Sequence, residues 1–190
     1  MEASKRKRRW VIAATVGAAL LALGLVLFKP WLLFVDVRVD ERLPTVAASA
    51  AQTPSAPSAT SKPPSGSTTK VPAGPVQLAT GSLISHEHAT TGTVRIIQQP
   101  GGARVLTLEN LDTSNGPDVH VWLSAADVVE GTAGWFTAGS AEHVDLGLIK
   151  GNQGNQVYAI PEDVDLARYR SVDLWCVQFS VSFGAAQLAR

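Results

Sequence analysis

A single cysteine, Cys176, occurs in 190 residues. No disulfide can form within the chain, so any domain it builds is held by packing alone. An odd cysteine in an exported protein either pairs between molecules or stays a free thiol. Net charge is lacking as well: sixteen Lys and Arg balance sixteen Asp and Glu, and no overall field draws the chain to nucleic acid. No Gly-x-Ser-x-Gly elbow is found, and Ser85-His-Glu-His-Ala89 lacks the His-Glu-x-x-His spacing of a zinc protease. Gly147-Leu-Ile-Lys-Gly-Asn-Gln-Gly154 holds glycines and a lysine but precedes no long helix whose N-terminus would face a phosphate. It reads as a tight loop between strands.

Charge is absent from one long stretch, Trp10 to Phe28, which is rich in Ala, Leu and Val. Nineteen residues at about 1.5 Å rise span roughly 28 Å, the hydrocarbon thickness of a bilayer. This is a candidate transmembrane helix, residues 10–28. The basic run Lys5-Arg-Lys-Arg-Arg9 before it marks residues 1–9 as a cytoplasmic tail, which sends the rest of the chain to the extracytoplasmic side. Lys29, Pro30 and Trp31 suit the boundary between lipid and water. The alternative is a cleaved signal, but the tidiest site, Ala48-Ser-Ala50, lies about twenty residues past the apolar run, too far for ordinary processing. Both readings place the remainder across the membrane, and the anchor predicts a single-pass cell-membrane protein.

Residues 29–75 form a juxtamembrane segment and linker. From Pro44 to Pro75 the composition is Ala, Pro, Ser and Thr, with too few large apolar side chains to offset the entropy of ordering. It reads as a disordered stalk, an inert tether that extends up to about 3.1 Å per residue and holds the head away from the bilayer.

Residues 76–190 divide into short alternating runs. Thr93-Val-Arg-Ile-Ile97 and Arg104-Val-Leu-Thr-Leu-Glu109 flank Pro100-Gly-Gly102 as a hairpin. In Val119-His-Val-Trp-Leu123, Val119, Val121 and Leu123 share one face, His120 and Trp122 the other. The connection Ala125 to Ala141 carries Trp135 and Phe136 and packs over the sheet. Val144–Ile149, Gln156–Ile160 and the run through Cys176 supply further strands, while Asp163–Tyr169 is the one short helical stretch. About seven or eight strands with regular turn signals predict an all-β head, an antiparallel β-sandwich, with a small closed barrel as the second architecture.

Chemistry centres on four positions besides the thiol. In the run Val177, Phe179, Val181, Phe183 the odd positions are apolar, and Cys176 falls in phase with Gln178, Ser180 and Ser182. That phase turns the thiol away from the main core unless a bulge intervenes near Trp175, because Val172 and Leu174 share it too. The bland reading is a buried cysteine acting as a small hydrophobe. His86 and His88, two apart, point the same way if they lie on a strand, and His120 beside Asp118 is the third candidate ligand. Two or three imidazoles with a thiolate suit copper or zinc; a His–Cys pair suits haem.

The ordered motifs resemble the electron transfer DM-thirteen domain, a small extracellular module of bacteria and animal surface proteins. The likeness runs from Gly81-Ser-Leu-Ile-Ser-His-Glu-His-Ala-Thr-Thr-Gly-Thr-Val94 through Leu108-Glu-Asn-Leu-Asp-Thr-Ser-Asn-Gly-Pro-Asp-Val-His-Val-Trp-Leu-Ser124. It continues in Leu146–Gln156, Ile160–Leu166 and Trp175-Cys-Val-Gln-Phe-Ser-Val-Ser-Phe-Gly-Ala-Ala186. Leu83 stands where the family carries an aromatic. The resemblance implies a β-rich head and a redox role centred on Cys176, as a bare thiol or as ligand to a prosthetic group. It implies a separate redox partner too, since the haem-binding domain that accompanies animal members has no counterpart here. On this reading Cys176 carries electron transfer, with His120 and Asp118 as modulators or ligands. The alternative is a non-enzymatic surface module that binds a partner or cell-envelope ligand, with the cysteine packed.

Overall fold

The computed structural model describes residues 2–45 and 74–190; most of the stalk assigned at 44–75 lies outside them. Helix α1 spans Glu2–Phe28 and contains the whole apolar run. None of its membrane-length portion is covered by protein, and by length and composition it can cross a bilayer. Lys29, in the left-handed region at φ 41°, ends it, and Pro30 opens a short 3-10 turn to Phe34.

Nine strands follow: β1 (Arg38–Asp40), β2 (Val76–Ser85), β3 (Thr91–Gln98), β4 (Arg104–Asp112), β5 (Val119–Ser124), β6 (His143–Leu148), β7 (Gln153–Ile160), β8 (Ser171–Cys176) and β9 (Val181–Gln187). They form one sheet in the order β1-β7-β4-β3-β2-β9-β8-β5-β6. All neighbours are antiparallel except β1, which runs parallel to β7. The sheet curls at β2, whose first part pairs with β3 and whose last three residues, Leu83 to Ser85, pair with β9. Gly81 permits the crossing: a Cβ there would stand 2.3 Å from the Gln187 carbonyl oxygen. The result is an open half-barrel with its two halves facing each other.

The concave side holds the core. Val94, Ile96, Leu106 and Leu108 meet Val121, Leu123, Val172 and Leu174, all essentially without solvent contact. Each such side chain contributes about 1.5–3 kcal/mol on burial, which is how a domain without disulfides stays folded. The all-β class, the hairpin around Pro100–Gly102 and the facing of Val119, Val121 and Leu123 are as the alternation predicts. Residues 76–190 supply eight strands, and the ninth, β1, comes from the juxtamembrane segment.

That ninth strand brings the head close to the helix. Arg38, Val39 and Asp40 pair with Gln153, Gly154 and Asn155. Asn152 fastens the approach, accepting from the Val37 amide at 2.7 Å and donating to Asp36 at 2.8 Å. Glu41 closes it through Lys150 and the Val157 amide. Only the stretch 29–37 separates helix from head, and residues 46–73 run between two strands of that same head. Gln153, where β1 enters, pairs with Asp112, and Asp112 pairs with Thr91. The end of the head built by residues 86–91, 112–118 and 177–180 therefore lies next to the helix. The hairpin at Pro100–Gly102 is at the opposite end. Consistent with this, Phe28 stacks on Phe179 with centroids 5.9 Å apart, and Gln178 donates to the Leu27 carbonyl.

Candidate functional site

Cys176 is fully buried and belongs to the main core with Val172 and Leu174. The phase read from the sequence fails because 171–183 is not one strand. β8 ends at Cys176, residues 177–180 make a turn with Ser180 at φ 53°, and β9 returns with Val181 opposite Cys176. The polar alternation after Cys176 thus belongs to a turn and another strand. Burial pushes the thiol's pKa up; the Phe179 amide opposes this, the Asp118 charge adds to it, and the Gln178 and Asp118 amides lower it. Among the described residues no cation flanks the sulfur to favour thiolate, so it is held as a neutral thiol.

His120 lies on the other side of the sheet, one residue from Val119, the cross-strand neighbour of Cys176. Its Nε2 is 3.1 Å from Asp118 Oδ1, as the sequence pairing of the two residues anticipates, and its Nδ1 is 2.8 Å from Asp145 Oδ2. The second contact is off the N–H direction, a charge pair rather than an aligned hydrogen bond. Burial draws the imidazole's pKa down, but the two carboxylates outweigh it and leave it raised. Asp145 escaped the sequence reading because its role depends on the pairing of β5 with β6.

His86 and His88 do not share a strand face. They sit in the bend after β2, where a two-residue spacing no longer aligns side chains. The His88 ring lies against Phe183, centroids 3.9 Å apart, with Nε2 at the Glu87 carboxylate. His86 turns inward: Nδ1 is 2.7 Å from Ser182 Oγ and Nε2 is 3.1 Å from the Val129 carbonyl oxygen. Ser182 in turn is 2.9 Å from Asp173 Oδ2. This chain of Asp173, Ser182 and His86 is buried throughout. The serine stands between the other two, so it is not a nucleophile aligned by a histidine.

The chain shares one proton between two complete patterns. Protonated Asp173 donates to Ser182, which donates to neutral His86, which donates to Val129. Alternatively, protonated His86 donates to Ser182, which donates to ionised Asp173. Burial raises the Asp173 pKa to about 7, with Ser182 pulling it back, and burial lowers that of His86, with Val129 opposing. Both shifts favour the uncharged pattern. Asp173 was missed because an acid on a strand reads as solvent-facing; its place between Val172 and Leu174, in phase with Trp175, was the available signal.

Beside this chain, Trp122 stacks on Trp175 at 5.1 Å between centroids and on exposed His143 at 3.7 Å. The connection Ala125 to Ala141 packs over these rings through Ala138, as the sequence indicates. Gly134 and Gly139 make the close approach possible: a Cβ on Gly134 would fall 1.8 Å from the Val129 oxygen, and one on Gly139 would fall 2.5 Å from the Trp175 ring. Trp122 and Asp173 are direct cross-strand neighbours, and Trp122 Nε1 and Asp173 Oδ1 are both buried without a hydrogen-bond partner among the described residues.

The donor set does not fit haem, copper or zinc. The thiol faces the core, His120 is on the opposite face between two acids, and both His86 nitrogens are occupied. Among the described residues no three His, Cys, Asp or Glu are grouped to hold a metal. The family model "Electron transfer DM13" matches residues 82–188, over half of the chain. The chain belongs to the electron transfer DM13 family. The matched segment covers β3 to β9 and includes Cys176, the aromatic stack and the buried Asp173 chain, and membership indicates a redox-related role. No curated protein and no solved structure matches the chain.

Proposed function

We propose that the chain is a single-pass membrane protein with a cytoplasmic N-terminus, whose extracytoplasmic head takes part in electron transfer at the bilayer surface. The observation that carries the placement is the pairing of β1 with β7, which leaves only residues 29–37 between helix and head. The basic run before the apolar helix supports the orientation, and family membership supports the redox role.

Within the head, the stack of His143, Trp122 and Trp175 is a path from the surface to the residue preceding Cys176. Aromatic rings in contact shorten each electron-tunnelling step. The thiol is then the inner end of a column, reached by electrons and not by small molecules, since it has no exposed surface. One-electron flash oxidation of the full chain by a water-soluble ruthenium tris-bipyridine and a sacrificial acceptor tests this. A radical observed by electron paramagnetic resonance in the wild type is expected to fall about tenfold in Trp122→Phe. An unchanged yield contradicts the column.

A second reading, partner or envelope-ligand binding with a structural cysteine, is favoured by the packing of Cys176 among Val172 and Leu174. It predicts that Cys176→Ala leaves the radical signal unaltered.

A further inference from the structure

At the helix-proximal end of the head lies an open cleft of about 510 Å³, within the usual range of small-molecule sites, roughly 300–1,000 Å³. Its walls are mainly apolar, with Phe28, Trp135, Phe136, Phe179 and Phe183 among them. Phe136 and Phe179 are about half exposed, at 58% and 44%, an unusual placement for large apolar side chains unless the surface has an occupant. Most of the lining belongs to the head itself, and the helix contributes the rim where Phe28 gives way to Lys29 and Pro30.

Lys29, Asn115 and the neighbours Glu87 and His88 interrupt the apolar wall. Glu87 Oε2 lies 2.5 Å from His88 Nε2 without an aligned hydrogen bond, and its charge favours the neutral tautomer with the proton on that nitrogen and Nδ1 as the acceptor. Burial lowers the His88 pKa and the Glu87 charge opposes this, so the ring stays a neutral base near pH 7. A carboxylate behind a neutral imidazole is an arrangement that accepts a hydroxyl proton. The occupant therefore has an aromatic or similarly flat apolar body and an acidic O–H, and it arrives from the bilayer.

We propose that this cleft binds a lipid-soluble quinol, its ring held by Phe136 and Phe179 and one hydroxyl donating to His88 Nδ1. The proposal rests on the reading of the chain as a membrane-anchored redox module and names the carrier that such a module meets at the bilayer. Binding forms one hydrogen bond and transfers no electron by itself.

Titration calorimetry of the full chain in lipid nanodiscs with a decyl-tailed benzoquinol, against blank nanodiscs, tests it. The control ligand is the same molecule methylated on both oxygens. The wild type is expected to prefer the quinol by about tenfold, the usual worth of a good hydrogen bond in a shielded site. Phe136→Asp, at an exposed position that leaves folding intact, weakens both ligands, and His88→Leu abolishes the preference. Absence of quinol binding, or equal affinity for the methylated ligand in the wild type, overturns the proposal; the wild-type comparison decides even if His88→Leu fails to fold. Repeating the titration in detergent separates this from a failure of the anchor reading, which would free the chain from membranes at alkaline pH without altering affinity in micelles.

Discussion

The Cβ that Gly154 lacks would stand 2.1 Å from the carbonyl oxygen of Val39. Gly154 also sits at φ +96°, where side chains are strained. Gly151 is likewise cramped, a Cβ there falling 2.3 Å from the Val37 oxygen. Two glycines of β7 and its entry loop thus make room for the strand that ties the head to its helix. Gly154→Ala is expected to cost about 3 kcal/mol in this strand pairing. Faster amide exchange at Arg38–Asp40, with the β3–β4 hairpin still protected, would check it.

Asp173 sets a pH dependence whose sign follows from its raised pKa of about 7. The folded state holds the proton that the unfolded chain releases near pH 4. Stability from this group is present at low pH, falls as pH rises from about 4 to 7, and is flat beyond. Asp173→Asn reproduces the protonated donor to Ser182, so it is expected to flatten the slope in that window and to stabilise the head at pH 8. The full effect is about 4 kcal/mol if no other group compensates. Denaturant melts at pH 4, 6 and 8 measure it; a slope unchanged from wild type would refute the assignment.

His120 has the same sign in a higher pH window. Its folded pKa is raised by Asp118 and Asp145 against the pull of burial. Its contribution is complete below the unfolded value near 6.5 and is lost as pH rises through the folded pKa. His120→Gln should cost about 1 kcal/mol at pH 5.5, typical of a part-exposed ion pair, and little at pH 9. Titration of the ring protons by NMR gives the same answer directly.

The sequence made part of this legible. Alternation in Val119–Leu123 placed three core residues and put His120 beside Asp118, because a paired strand with one buried face declares its register. The Cys176 phase was misread since a turn at 177–180 continues the apparent alternation of a strand. β1 is too short, at three residues, for a period-two pattern, and what holds it are Asn152 and Glu41 with Lys150, partners remote in sequence. The Asp173–Ser182–His86 chain joins three separate segments, and no local pattern announces such a meeting.

Cys176 gives a simple chemical check. A buried neutral thiol is expected to react with an aromatic disulfide reagent at least about 100-fold more slowly in the folded chain than in denaturant. Rapid reaction in the folded state would place the sulfur at the surface.

On the proposed topology, the end of the head carrying Phe179 rests at the bilayer boundary. A nitroxide attached at Phe179→Cys, in a Cys176→Ala background reconstituted in vesicles, reports it by power saturation. The account predicts strong relaxation by oxygen and weak relaxation by a water-soluble nickel chelate at this site, with the reverse for a label at Gly101→Cys in the far hairpin. Equal nickel access at both positions would show the head held away from the membrane and contradict the account.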